Sequence, residues 1–174
     1  MTSSVDIRLA TPEDCLLLAT QRVAMFRDMG SITPEIEQPL LETCADYLAK
    51  ALASGEYVGW VAHLTALPQS VIGGAGVQLR PLLPRPDPTG QFLLRGLEGL
   101  VLNVYVDDAH RRQRVARRLM ETLIGWAPGA GIVRLVLHAS PDGRPLYESL
   151  GFHATNEMLF PPFVTPGALR DDEG

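Results

Sequence analysis

Two apolar runs with one amphipathic segment between them limit the folds open to this chain more than any other feature. Residues 97–106 and Ile132–Leu137 have the composition of buried strands. The segment from about residue 112 to 126 repeats apolar side chains at helical spacing, at Val115, Leu119, Leu123 and Trp126. A strand, a helix and a strand in this order predict a parallel strand pair with a right-handed crossover. The second strand shows no polar alternation, so we expect both of its faces to be covered.

The rest of the sequence predicts a mixed α/β domain. Two helices each begin at a Thr-Pro pair, where a capping hydroxyl precedes a proline in the first turn. Pro39 can break or kink the second of these helices, and four prolines between residues 80 and 90 predict an extended loop. The remaining predicted elements are a strand at Val5–Leu9, helices at about 11–28 and 33–53, a strand pair at Tyr57–Leu64 and 71–79, a short helix at 144–150 closed by Gly151, and a final strand near 158–160.

Charge and composition exclude several classes of protein. The net charge of −5 argues against general nucleic-acid binding, which usually needs a basic surface. Cys15 and Cys44 lie in predicted helices and the histidines lack metal-motif spacing, so no disulfide framework or metal site is expected. No signal peptide and no apolar run of about 18 residues is visible, which predicts a cytoplasmic protein without a membrane span. We expect one domain over residues 1–166 and a disordered tail at 167–174; a homodimer is compatible with the sequence, which leaves the oligomeric state open.

Arginines cluster where the first apolar strand gives way to the helix. The first amides of a helix lack intrahelical partners, and the helix dipole adds positive charge there, so this end attracts phosphate. Cations at a helix N-terminus are unfavourable unless an anion bridges them. The alternative is a solvated basic face, with Arg117 paired to Glu121. The residues of the cluster are Arg111, Arg112, Gln113, Arg114, Val115, Ala116 and Arg117.

Two segments that flank this helix and the following strand resemble the Gcn5-related N-acetyltransferase family. The run Arg111-Arg112-Gln113-Arg114-Val115-Ala116 is similar to the family's coenzyme-binding motif, Arg/Gln-x-x-Gly-x-Gly/Ala, and Arg114 stands where the family usually has glycine. The run Leu146-Tyr147-Glu148-Ser149-Leu150-Gly151-Phe152 is similar to the family's closing signature, Leu-Tyr-x-x-Leu-Gly-Phe. The two segments occur in the family's order, with one strand between them.

The resemblance implies a fold and a cosubstrate. The fold is a mostly antiparallel twisted sheet with a central, splayed parallel strand pair, flanked by helices. The cosubstrate is acetyl-CoA, whose pantetheine arm would bind backbone groups of Val104 and Val106 as an added strand does. Its diphosphate would lie at residues 111–117. Ser140 stands roughly where the family often has an asparagine that touches the coenzyme, although Ser140 or Asp142 can equally be a helix cap.

The resemblance also implies direct attack of an amine on the thioester. Tyr147 matches the family tyrosine proposed to protonate the departing thiolate, and Glu98 lies on the strand where several members place a base. His63 and His138 are better explained as structural histidines. Met25, Phe26 and Met29 could line an apolar acceptor wall with Asp28 attracting an ammonium group, although their spacing also fits a core stripe.

The acceptor itself is not specified by any motif. The favoured hypothesis is an N-acetyltransferase acting on a primary amine of a small molecule or a peptide. The alternative is a non-catalytic acyl-CoA-binding regulatory module of the same fold. Nucleic-acid recognition by the Arg-rich helix ranks third, because the net charge is negative and one side of that helix is apolar.

Overall fold

One sheet, in which the spatial order of the strands follows the order of the chain, organises the molecule. The computed structural model describes residues 4–159 of the 174. Neighbouring strands are antiparallel except for β4 and β5, which are parallel. The elements are β1 (Val5–Leu9), α1 (Cys15–Asp28), α2 (Pro34–Ser54), β2 (Tyr57–Leu64), β3 (Leu67–Pro86), β4 (Leu93–Val106), α3 (Val115–Trp126), β5 (Ile132–Leu137) and α4 (Arg144–Ser149). The predicted mixed α/β fold with one parallel pair is confirmed.

Helices cover both faces of the sheet because successive strand residues point to opposite sides. On one face, α1 and α2 pack against Tyr57 and Val61 of β2. On the other, α3 packs against Trp60, and the ring of Trp126 meets the Trp60 ring edge to face with centroids 5.0 Å apart. The apolar stripe predicted for this helix is therefore its buried side, with Leu119 and Leu123 fully enclosed.

The prediction of a loop over residues 80–90 is wrong for its first seven residues. β3 continues to Pro86 and pairs with β4 down to Leu93. The pairing with β2 ends at Gln78, so this half of β3 has a ladder partner on one side only. A proline lacks an N–H to donate and is tolerated where one strand edge is unpaired, and the ladder is also irregular between Leu82 and Arg85.

Three smaller expectations also change. The helix α2 runs through Pro39 without a break, as a 21-residue element. The strand β5 is not covered on both faces: Ile132 is its only buried residue, because β5 is an edge of the described sheet. Met158 and Leu159 lie in irregular chain and are 93% exposed, whereas Phe160 and the tail at 167–174 lie outside the described residues. Within residues 4–159, no helix combines the length and apolar character needed to cross a bilayer.

Candidate active site

The parallel strands β4 and β5 are paired along only part of β4. Pairing runs from Leu97 opposite Ile132 to Val101 opposite Leu137, where β5 ends, while β4 continues to Val106. Asn103, with φ of 57°, lies where the register between β3 and β4 shifts by one residue. Such a bulge bends its strand and increases the local twist. A gap therefore opens beside the second half of β4, as the predicted splay requires.

A single 3-10 turn at Asp108–His110 follows β4, and the arginine-rich turn of residues 111–114 comes next and is not helical. Arg112 and Arg114 have left-handed backbone angles, with φ of 60° and 64°, and α3 begins only at Val115. The predicted helix start at residue 112 is thus three residues too early. The left-handed conformation favours glycine and costs other residues about 1–2 kcal/mol. This cost explains the usual glycine of the similar motif at the position of Arg114.

Six consecutive backbone amides in this turn have no acceptor among residues 4–159. They belong to residues 112–117, and the first helical hydrogen bond is donated by Arg118 to the Arg114 carbonyl, at 3.0 Å. A turn with left-handed residues can point successive N–H groups toward one point, which forms an anion-binding nest. The side chains of Arg112 and Arg114 are exposed beside it. The arrangement suits a diphosphate.

Two of the predicted site residues pair with each other. The Arg111 guanidinium contacts the Asp28 carboxylate, lies 2.7 Å from Asp108 and donates through Nε to the Val106 carbonyl, at 3.0 Å. The hydrogen bond with Asp28 raises the pKa of Arg111, so the side chain stays charged. An attraction of Asp28 for an acceptor ammonium remains a prediction, although the Asp28 carboxylate already pairs with Arg111. Arg111 ties the turn to β4 and to the end of α1.

Two other residues predicted to bind the coenzyme form side-chain hydrogen bonds within the protein. Arg117 donates to the Ser149 hydroxyl, at 2.5 Å, and to Glu121, at 3.3 Å. The Arg117 guanidinium is thus partly engaged within the protein, whereas its backbone amide has no acceptor among residues 4–159. The Ser140 hydroxyl accepts from the Gly143 amide at 3.1 Å, so it caps the turn that leads into α4. A contact between Ser140 and the coenzyme remains a prediction.

Tyr147 lies on α4, the helix that follows the end of β5, where the gap opens. Its ring is half-buried and meets Phe152 edge to face, with centroids 6.2 Å apart. Within residues 4–159 its hydroxyl has no hydrogen-bond partner. Burial raises the pKa of Tyr147, so this hydroxyl keeps its proton at neutral pH. A protonated phenol without a protein partner is chemically suited to donate to a thiolate.

Glu98 has surroundings that disfavour the predicted role as a base. It is buried, and both Arg80 of β3 and Arg134 of β5 donate to its carboxylate, the latter through Nε at 2.7 Å. Burial opposes ionisation, but the hydrogen bonds from Arg134 and Arg80 outweigh it and lower the pKa of Glu98. A carboxylate held by two guanidinium groups is a weak base. Glu98 joins three strands in an ion cluster, and its catalytic role stays a prediction.

A cavity that the sequence did not predict lies between the helices α1 and α2 and the bulge of β4. It has a volume of about 310 Å³. Within it, Arg22 donates to the Asn103 side-chain oxygen, at 2.6 Å, and the Asn103 amide donates to the Tyr57 hydroxyl, at 3.3 Å. One signal could have indicated it: Asn103 interrupts an apolar strand, and asparagine tolerates the left-handed conformation of a bulge. The lining residues are Arg22, Thr43, Cys44, Tyr47, Leu48, Tyr57, Gln78, Leu102 and Asn103.

The predicted acceptor wall does not line this cavity. Phe26 is half-buried and supports the cavity indirectly, because the Arg22 guanidinium lies 4.8 Å above its ring centre. Met25 is half-buried and Met29 is exposed. An acceptor role for these three side chains remains a prediction. No group of three metal-ligating side chains comes together within residues 4–159.

Comparisons with known proteins identify the family. A model of the acetyltransferase (GNAT) family matches residues 23–152. The chain is 28% identical over 131 residues to N-acetyltransferase 8 of Homo sapiens. This alignment covers 74% of this chain and 52% of that protein. It spans about half the length of the curated relatives it matches, or less.

Solved structures of acetyltransferases have a similar fold. A GCN5-related N-acetyltransferase from Ralstonia eutropha JMP134 superposes with a TM-score of 0.78 at 30% identity, over 91% of this chain and 99% of that one. A predicted acetyltransferase from Clostridium acetobutylicum, crystallised with acetyl-CoA, gives a TM-score of 0.74 at 27% identity, over 91% of this chain and 96% of that one. Because the family model matches more than half of the chain, this protein belongs to the GNAT acetyltransferase family, whose cosubstrate is acetyl-CoA.

Proposed function

We propose that this protein transfers the acetyl group of acetyl-CoA to a primary amine by direct attack. The observation that carries the proposal is the row of six amides without acceptors at the head of α3, placed beside the gap between β4 and β5. The amides suit the diphosphate, and the gap suits an extended arm. The acetylated end of that arm would then reach the bulge at Asn103.

The coenzyme would bind mainly through backbone. The amides of residues 112–117 hold the diphosphate, and the exposed guanidinium groups of Arg112 and Arg114 add charge-assisted hydrogen bonds. The backbone of Val104 and Val106 on the gap side of β4 pairs with the pantetheine arm as a strand would. The Val106 carbonyl already accepts from Arg111, so that hydrogen bond marks the phosphate end of the arm's path.

The reaction forms a C–N bond and breaks a C–S bond. The neutral amine nitrogen attacks the thioester carbonyl carbon, and the electron pair of the C–S bond leaves with the sulfur. The Tyr147 hydroxyl donates its proton to that sulfur, and the phenolate regains a proton released by the acylated amine through water. Burial, which raises the pKa of Tyr147, also makes the phenolate a strong enough base to recover the proton.

Coenzyme binding is tested by thermal unfolding with acetyl-CoA. A ligand at 100 times its Kd stabilises the folded state by about 2.7 kcal/mol, which for a domain of this size raises Tm by about 5–11 °C. Arg112→Gln and Arg114→Gln should reduce the shift. Arg118→Gln is the matched control, because Arg118 is exposed on the same helix while its amide bonds to Arg114. No shift at saturating acetyl-CoA would reject the binding site.

Catalysis is tested by thiol release from acetyl-CoA with a panel of amines. The alternative, a non-catalytic acyl-CoA-binding module, predicts binding without amine-dependent release. Amine-dependent release, with the acetylated amine recovered in equal amount, supports the enzyme. Binding with no release from any amine supports the module.

A further inference from the structure

Arg22 has an unusual environment for an arginine of this protein. It is half-buried on α1, and its partners within residues 4–159 are the neutral Asn103 side chain, at 2.6 Å, and the Phe26 ring. No carboxylate of residues 4–159 lies within 4.0 Å of it. By contrast, Arg27 on the same helix forms two hydrogen bonds with Glu37. A guanidinium has five N–H donors, so most of those on Arg22 are unused.

The side chains around Arg22 present more donors than acceptors; the acceptors that make no hydrogen bond within residues 4–159 are the Gln78 amide oxygen and the Thr43 hydroxyl. Arg22 is the only charged side chain among the nine that line it. The Tyr57 hydroxyl accepts from Asn103, and the Tyr47 hydroxyl accepts from Gln78 at 2.8 Å, so each hydroxyl keeps its own proton to donate. Neither proton has an acceptor within the described part of the chain. The Asn103 side-chain oxygen is already bonded to Arg22.

The donors around Arg22 favour an anionic ligand in this cavity. A partly buried guanidinium is less screened than an exposed one and forms strong, often bidentate, hydrogen bonds with carboxylate or phosphate. A neutral amine would leave the donors of Arg22, Tyr47 and Tyr57 unmatched, and unmatched polar groups lower affinity. The protein as a whole carries a net charge of −5, so this positive recess is a local feature.

The cavity also lies at the right end of the proposed coenzyme path. Leu102 and Asn103 form part of its wall and belong to the stretch of β4 where the gap begins. A molecule anchored at Arg22 would thus hold its other end near the thioester. The volume of about 310 Å³ accommodates a small molecule.

We infer that the acceptor is a small amine that also carries an anionic group, with an α-amino acid as the simplest form, and that Arg22 binds that group. The inference rests on the proposed acetyl transfer and adds the substrate class. Arg22 selects the acceptor, and Tyr47 and Tyr57 complete the anion site. The amine points from this site toward the gap.

The test compares acceptors that differ only in the anionic group. The kcat/KM for acetylation of phenylalanine is measured against that of phenylalaninamide and phenethylamine, over pH so that amine ionisation is taken into account. We expect phenylalanine to be favoured about ten- to a hundredfold, the loss typical of one charge-assisted hydrogen bond. Arg22→Gln should collapse this ratio, mainly through KM, and Arg22→Lys should restore part of it. Arg27→Gln, with the same charge change on the same helix, should leave the ratio unchanged.

A second measurement needs no variant. Phenylpropionate, which keeps the anion and lacks the amine, should inhibit the wild-type protein competitively against the amine. Equal use of acceptors with and without the anion, or an unchanged ratio in a folded Arg22→Gln protein, would overturn the inference and leave acetyl transfer intact. Preference for peptide N-termini over free amino acids would also overturn it. If no amine releases thiol, the proposed function fails, and the inference fails with it.

Discussion

Replacing Glu98 by glutamine separates a structural role from a catalytic one. Glu98 is 8% exposed and its carboxylate receives hydrogen bonds from both Arg80 and Arg134, so it connects β3, β4 and β5. Glu98→Gln keeps the shape of the side chain but removes its charge. The new amide group then faces two guanidinium groups that it cannot satisfy as the carboxylate did.

The size of the effect follows from this geometry. A hydrogen bond to a charged group contributes about 1.5–3 kcal/mol to stability. The Arg80 and Arg134 side chains are 46% and 34% exposed, so both can turn to water after the substitution, which reduces the loss. We expect a total of about 2–3 kcal/mol, which lowers Tm by about 4–12 °C for a domain of this size. Turnover below the transition should change little.

The assay is thermal unfolding as a function of pH, with turnover measured on the same samples. The pKa of Glu98 is lowered in the folded state, so its contribution is present above the unfolded value of about 4.3 and is lost as pH falls through the folded value. The difference between the two proteins should therefore shrink in acid. Glu37→Gln, which removes an exposed pair with Arg27, is the control and should change Tm much less. A large loss of turnover with an unchanged Tm would refute the structural role and restore Glu98 as the base.

Two further predictions concern the reaction and the turn. Tyr147→Phe should lower kcat by about a hundredfold to ten-thousandfold, the range for loss of a general acid, while the acetyl-CoA Kd stays nearly constant. Unchanged kcat in single-turnover measurements would reject the proton-donor role. Arg114→Gly should raise the Tm of the free protein slightly, because a left-handed arginine costs about 1–2 kcal/mol and the freer unfolded glycine offsets part of the gain. The same variant should bind acetyl-CoA more weakly, and unchanged affinity at low salt would show that the Arg114 guanidinium does not contact the phosphates.

Local patterns predicted most of the elements because their causes are local. Thr33-Pro34 marks the start of α2, whereas Pro12 begins a 3-10 turn that leads into α1 at Cys15. The apolar spacing of α3 and the short helix before Gly151 are both confirmed. The prolines of β3 led to the wrong prediction of a loop. A proline is tolerated in a strand where no neighbouring strand needs the N–H that it lacks. The neighbouring strand, β2, ends its pairing at Gln78, which no local pattern indicates.

The candidate site was predictable only in part. The position of the arginine turn follows from sequence, but the left-handed angles that free its amides do not. The pairs that define the rest of the site are distant in the chain: Arg111 and Asp28 are 83 residues apart, and Arg22 and Asn103 are 81 apart. Contacts of this kind arise from the packing of α1 against β4. Without these contacts, the sequence alone does not indicate that Asp28 pairs with Arg111 or that Arg22 lines a cavity.

The bridge from Arg111 to Asp28 has a consequence for any attempt to re-engineer this protein. The Arg111 guanidinium connects the arginine-rich turn to both the end of β4 and the far end of α1, the helix that also bears Arg22. Changes made at Asp28 to broaden acceptor choice would loosen the turn as well, so their effects would not simply add to those of changes at the turn. Libraries that vary the two ends together would sample combinations that stepwise selection misses.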